Sequence, residues 1–327
     1  MILAGDIGGT KTRLGLFSKE RGPKHPIVRK TYSSKEFSSL EHIVRAFIKE
    51  HHVAAKYACF GVAGPVKNGR AAITNLAWVI DTAVLKQKLE IDEILLLNDL
   101  EAMAYAVPHL EDVMFEVIKP GVCAKESTKA LVAAGTGLGE VFLTWEGSRY
   151  RANSSEGGHS DFGPRNDLEV EILNFLRRSF DHVSYERVCS GIGIPNLYAF
   201  LRNTRKYGEP RALARQLALA SDQTPVIVEA GLNHPEENPI CAAVLDLFTS
   251  ILGAEAGNLA MKVSSYGGIY IGGGIPPRIA QFIRKPLFLE AFRAKGRLRP
   301  MIDDIPIYLV TYNDMALMGA ACHALGR

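Results

Sequence analysis

The stretch 93–101, Glu-Ile-Leu-Leu-Leu-Asn-Asp-Leu-Glu, constrains this chain more than any other. Its apolar run, Ile94-Leu95-Leu96-Leu97, is short enough for a strand buried on both faces. It stops at Asn98-Asp99. Leu100, Met103, Ala104 and Val107 then recur at helical spacing as far as Pro108. A buried strand that feeds a helix belongs to an open α/β sheet, whose carboxyl edge is where ligands bind. Asn98 and Asp99 stand at that edge. On this stretch alone Asp99 reads either as a helix cap or as a catalytic carboxylate. Tyr312-Asn313-Asp314, after an expected strand at 307–311, repeats the pattern and reads as a cap.

Residues 2–7 read as a strand, Gly8-Gly9-Thr10-Lys11 as a turn and 12–17 as a returning strand, with Asp6 just ahead of the turn. Paired glycines let a backbone approach a ligand closely, although an ordinary hairpin has the same pattern. The plan recurs later: apolar 129–134, then Gly135-Thr136-Gly137-Leu138-Gly139, then a return over 140–145. Two such turns suggest two similar halves, each offering backbone N–H groups to an anion in a shared cleft. Between them, Ser38 and Glu41 have capping-box spacing ahead of the stripe Leu40, Ile43, Val44, Phe47 and Ile48. Strands are expected at 57–63 and 71–74, the second ending at Asn75, and Asp81 should cap a helix. Residues 109–128 read as irregular and hold a domain boundary. The helix 314–325 is expected to return to the first domain. A small discontinuous α/β domain, 1–108 plus 303–327, then stands against a large one, 109–302.

In the second half, Ser155-Glu156-Gly157-Gly158-His159 gathers a carboxylate and an imidazole around two glycines. A solvated turn is the alternative. Metal ligation is disfavoured, because the glycines oppose the helix that would put both groups on one face. Glu186 reads as a first-turn glutamate and Ser190-Gly191 as a helix end. Gly272-Gly273-Gly274, after a strand and before a helix, suits either a nucleotide or a plain turn. Residues 239–261 form a long, mostly apolar helix.

The 327 residues are 47% apolar, too much for one ordinary core. A net charge of +3 with scattered Lys and Arg argues against a nucleic-acid stripe or a polybasic membrane patch. Five cysteines lie far apart without CxxC spacing, so neither structural zinc nor a disulfide framework is expected, and reduced thiols suit the cytoplasm. The chain opens directly on a strand rather than a signal peptide, and no unbroken apolar run of 18 residues suggests a membrane span.

These motifs together resemble the ribonuclease-H-like sugar kinases that share the actin and hexokinase ATPase fold. Residues 6–13 resemble that family's first phosphate loop, 133–139 its second and 271–275 its adenosine motif. More narrowly, Thr74-Asn75, Leu97-Asn98-Asp99, residues 155–159, Ser184-Tyr185-Glu186-Arg187-Val188 and Ser190-Gly191 follow the order of the bacterial glucokinase group. That resemblance implies two actin-like ATPase domains flanking a cleft, and transfer of a phosphoryl group from ATP to glucose. It implies Asp99 as general base, with Asn75, Asn98, Glu156, His159 and Glu186 on sugar hydroxyls. Asp6, Gly8, Gly9, Thr10, Lys11, Gly135, Thr136, Gly137, Ser190, Gly191, Gly272, Gly273 and Gly274 would hold ATP with its Mg²⁺, and the protein would be a homodimer. Lys11 stands where many of these enzymes have Asn. The cysteine-rich zinc motif of the related repressor/open-reading-frame/kinase group is absent. The competing expectations are a kinase for another hexose, such as N-acetylmannosamine or N-acetylglucosamine, and a non-catalytic sugar-sensing regulator.

Overall fold

The structure is a computed structural model, and it describes every residue except Thr74, Asn75 and Arg327. The expected sugar ligand Asn75 therefore lies outside the described residues. Packing divides the chain into two compact units. One holds residues 1–111, 146–154 and 312–327; the other holds 112–145 and 155–311.

The first unit is built on β1 (Ile2–Ile7), β2 (Lys11–Phe17), β3 (Val28–Ser33) and β4 (Tyr57–Val62), with β5 (Val66–Lys67), β6 (Arg70–Ala72) and β7 (Val79–Asp81) in a small separate sheet, and β8 (Glu93–Asn98). The main sheet runs β3-β2-β1-β4-β8. The first three strands form antiparallel hairpins, while β4 and β8 run parallel to β1. Parallel register aligns their carboxyl ends, so Ile7, Val62 and Asn98 stand in one row. Helix Asp99–Ala106 leaves that edge, and helix Met315–Leu325 packs on it and on β1 and β4. Gly319 makes this close approach feasible: a Cβ there would meet the Ala102 carbonyl oxygen at 1.7 Å.

The second unit contains β9 (Phe115–Lys119), β10 (Lys129–Ala134) and β11 (Leu138–Trp145). After β12 (Tyr150–Ser155) come β13 (Ile269–Gly272) and β14 (Ile307–Val310). Its strands run β11-β10-β13-β14-β9 within a six-stranded sheet. β14 pairs with β13 and β9, so it packs with the second unit, although the boundary read from sequence at 303 would assign it to the first. Helix Pro239–Val263 is long and apolar enough to cross a membrane, yet 72% of its most apolar window is buried, as suits a core helix. Ile240, Val244, Phe248, Ile251 and Leu252 sit in that core at 0–1% exposure.

Local chemistry departs from the sequence reading in three places. Residues 115–119, expected to be irregular, form the edge strand β9. The first helix is capped by Ser39 rather than Ser38; the Ser38 hydroxyl instead meets His42 Nδ1 at 2.7 Å. Asp314 makes no side-chain cap bond. Its carboxylate is drawn to two guanidiniums, Arg29 and, at 3.6 Å, Arg13.

Candidate active site

In the first unit the site begins at the aligned strand ends. Asp99 is the first residue of its helix. Asn98 caps that helix, accepting from the Leu100 N–H at 3.0 Å, and its Nδ2 donates to the Gly64 carbonyl at 3.1 Å. The Asn98 side chain is thus fixed by backbone on both ends. Asp99 Oδ1 also accepts from the Leu100 N–H, at 2.9 Å. The cap of this helix is therefore Asn98 rather than Asp99, and Asp99 is held in one orientation. Burial, the largest influence, raises the Asp99 carboxyl above the ordinary aspartate range; the Leu100 N–H opposes this and the charge of Asp6 adds to it.

Asp6 lies on β1, opposite Arg13 of β2, and their side chains meet at 2.8 Å. Burial raises the Asp6 carboxyl, and Arg13 opposes the shift by charge and hydrogen bond. The adjoining glycine turn closes with Gly8 N–H on the Lys11 carbonyl at 3.0 Å. It is braced from β3's end, where Ser34 Oγ donates to the Gly8 carbonyl at 2.8 Å and meets Thr12 Oγ1 at 3.0 Å. Thr10 and Lys11 are exposed.

In the second unit, three glycine segments meet at the end of β10. The Gly135 N–H reaches the Gly137 carbonyl at 2.9 Å. The Gly191 N–H donates to the Gly135 carbonyl at 2.7 Å, and a Cβ on Gly191 would lie 2.9 Å from that oxygen. Gly273, at φ +91°, sits so close to Ala134 that a Cβ would be 2.4 Å from its carbonyl oxygen. That left-handed conformation and close approach both demand glycine. Around Gly135 and Gly274 a Cβ would meet nothing within 4 Å, leaving open space over the junction. The arrangement presents backbone rather than side chains, as a phosphate-binding surface requires. Ser190 is buried: its Oγ donates to the Glu186 carbonyl at 2.7 Å and accepts from the Gly193 N–H at 3.2 Å, so its hydroxyl is committed internally.

Glu186 and the 155–160 loop adjoin this junction. Glu186 Oε2 accepts from the Leu138 N–H at 3.0 Å and lies 4.0 Å from His159 Nε2. Glu156 and His159 are exposed at the two ends of a 3₁₀ turn closed by the His159 N–H on the Glu156 carbonyl at 2.9 Å. Glu186 and His159 are thereby gathered, with Glu156 on the same turn. Among the described residues no group of three or more His, Cys, Asp or Glu is arranged to hold a metal.

A family model described as Glucokinase matches residues 3–326. The chain belongs to the glucokinase family. It is 39% identical to a glucokinase from Nostoc punctiforme, covering 98% of each chain. It superposes on the crystal structure of a glucokinase from an Antarctic psychrotroph with a TM-score of 0.86 at 32% identity, covering 100% of this chain and 99% of that one. It also has the fold of a ROK family glucokinase from Streptomyces griseus solved in complex with glucose and AMPPNP, at a TM-score of 0.65, 19% identity and coverage of 100% and 99%. The architecture is accordingly the actin-like ATPase fold of these sugar kinases, and the chain is a hexokinase-type phosphotransferase.

In this member of the glucokinase family, sequence reading missed the partners of the acidic groups of the first unit. Arg13 was quoted only as part of a glycine-turn motif. Counting outward from the turn would have placed it across from Asp6, because hairpin register fixes which residues face each other. The Arg29 and Asp314 pairing spans 285 residues and carries no local signal.

Proposed function

We propose that this chain transfers the γ-phosphoryl group of ATP to the 6-hydroxyl of D-glucose, with Asp99 as the general base. The observation that carries the reading is the place of Asp99: it directly follows Asn98 at the end of a parallel strand row, is oriented by the Leu100 N–H, and has a carboxyl raised by burial and by Asp6. A sugar alcohol is a weak nucleophile near neutral pH, and a carboxylate within hydrogen-bond reach takes its proton as the new P–O bond forms. Desolvation makes Asp99 a better proton acceptor than an exposed aspartate.

In this reading Glu156, His159, Glu186 and Asn98 are assigned the sugar hydroxyls, and Asn75 is assigned to them from the sequence alone. Carboxylates and imidazole each accept a sugar O–H bond, which orients the ring. The turns at 8–11 and 135–137, with Gly191 and residues 272–274, receive the nucleotide through backbone N–H groups. Mg²⁺ arrives with the nucleotide and neutralises phosphate charge. Asp6 suits contact with it through water, since its carboxylate is already paired with Arg13 and the described residues offer no complete ligand cage. We infer a cytoplasmic homodimer acting in glucose breakdown.

The deciding experiment supplies MgATP with glucose, N-acetylglucosamine and N-acetylmannosamine and follows the sugar 6-phosphates. We expect kcat/KM for glucose to exceed both others by about tenfold or more, roughly 1.4 kcal/mol of transition-state discrimination. Hydrogen-bonding groups placed for hydroxyls discriminate against substituted analogues. An N-acetylated sugar at or above glucose would replace this reading with a hexosamine kinase. Absence of turnover on every hexose would leave a sugar-sensing protein.

A further inference from the structure

A second pair of carboxyls lies beneath the 155–160 loop, and the proposed mechanism does not use it. Glu140 projects inward from β11 and is 1% exposed; Glu255, on helix Pro239–Val263, is 0% exposed. Glu140 Oε2 sits under Gly157, so close that a Cβ on that glycine would come within 1.9 Å of it. Glu140 Oε1 is buried without a hydrogen-bond partner, while the side chain lies within hydrogen-bonding reach of Glu255. Two neighbouring carboxylates in a dry interior resist ionising together, so the pair favours holding a proton. Glu255 gathers the donors, Asn258 Nδ2 at 2.8 Å and Lys262 Nζ at 3.4 Å. The proton therefore falls to Glu140. Burial, then the charge and hydrogen bond of Glu255, push Glu140 up to about 8.

We propose that protonated Glu140, hydrogen-bonded to Glu255, is a positioning residue that holds the loop bearing Glu156 and His159 in its sugar-binding place, so that losing this proton weakens sugar binding at alkaline pH. The proposal rests on the reading of Glu156 and His159 as sugar ligands. When the proton leaves Glu140 for solvent, two like charges face each other in the interior. Relief requires the Glu140 carboxylate to shift, and Gly157 lies directly against it. Gly157 is bonded to Glu156, and its carbonyl accepts from Ser160 N–H at 2.9 Å and Ser160 Oγ at 2.6 Å, so the turn moves with it.

Other titratable groups face this pair. Tyr185 and Cys189 come from the 185–189 segment. Both are pushed up, first by burial and next by Glu255, Tyr185 to about 12. Lys262 faces it from the helix of Glu255. Lys295 approaches from the 294–298 turn, donating to the Ala254 carbonyl at 3.0 Å and Asn258 Oδ1 at 2.7 Å, and burial pulls it down to about 8. Lys295 and Glu140 thus titrate in one window, and substitutions within the carboxyl pair separate them.

Glu140→Gln keeps the shape and supplies an N–H donor to Glu255 without an ionisable proton. With KM for glucose and kcat measured separately from pH 6.5 to 9.5, the unaltered enzyme is expected to show KM rising about tenfold while kcat at saturating sugar changes less than about threefold. In Glu140→Gln the KM should stay within about twofold. Glu255→Gln, which removes the opposing charge and offers an amide, should flatten the same rise. A rise unmoved in both variants overturns the proposal. Thermal unfolding tests the pair without turnover. A carboxyl raised from about 4.3 unfolded to about 8 folded stabilises fully below the lower value. That contribution falls as pH rises and is gone above the higher one. The drop in Tm between pH 6 and 9 should be smaller in Glu140→Gln than in the unaltered enzyme; equal drops also overturn the proposal. Absence of hexose phosphorylation at pH 7 sinks the kinase reading instead, and leaves the unfolding test of the pair intact.

Discussion

Asp99→Asn is expected to lose about 10²- to 10⁴-fold in kcat, the range for removing a general base, while KM for glucose moves little. Asparagine is nearly isosteric, and its Oδ1 can still accept the Leu100 N–H that aspartate accepts at 2.9 Å. The helix keeps its cap because Asn98 supplies it. What disappears is the ability to take a proton. Stability should move the opposite way. The folded carboxyl is raised, chiefly by burial and further by Asp6, so its contribution is present below the unfolded pKa and is lost as pH climbs through the folded one. At neutral pH the folded protein therefore carries an unfavourable buried charge, which asparagine removes. The variant should unfold at an equal or higher temperature at pH 7. In the unaltered enzyme kcat/KM should fall on acidification at a pH above the ordinary aspartate value, since only the ionised base works. A variant retaining kcat within a few-fold would reduce Asp99 to a helix-end residue.

Strand β8 and the helix after it were legible because a buried parallel strand is written as an unbroken apolar run, and the polar pair ending it marks the sheet's ligand edge. The glycine segments at Gly191 and 272–274 were legible as chain punctuation for a related reason: only glycine permits the backbone contacts made at Gly191 and Gly273. The edge strand β9 was not, because Phe115-Glu-Val-Ile-Lys is short and half-exposed and ends at Pro120, a pattern a loop shares. Glu140 was likewise hidden. In the sequence it is one charged residue on a returning strand; its meaning comes from Glu255, 115 positions on by the numbering, and from the glycine it supports. Local signals reveal where backbone must bend or approach. Pairings between distant side chains, such as Arg29 with Asp314, arise only when the chain has folded.

Gly158→Ala should raise KM for glucose on the order of 10- to 10²-fold and raise KM for ATP by a clearly smaller factor, as expected for a displacement near 1 Å of a positioning element. Gly158 is buried, and a Cβ there would lie 2.0 Å from the Leu138 carbonyl oxygen and 2.9 Å from its carbon. These are backbone atoms at the start of β11, where Leu138 is paired with Ala134 of β10, so they cannot rotate aside as a side-chain tip would. Either the loop lifts or the strand end yields. If the loop lifts, Glu156 and His159 leave their places. If the strand yields, the Leu138 N–H that Glu186 accepts at 3.0 Å goes with it. One methyl group therefore disturbs Glu156 and His159 together, or Glu186, whichever way the strain is relieved. The overpacking should also cost about 1–3 kcal/mol of stability. Gly208→Ala is the matched control, since a Cβ there meets nothing within 4 Å and should leave both constants unchanged. A Gly158→Ala enzyme with a lowered Tm but an unaltered glucose KM would place the sugar-binding groups elsewhere, because the steric displacement would then have occurred without consequence for the sugar.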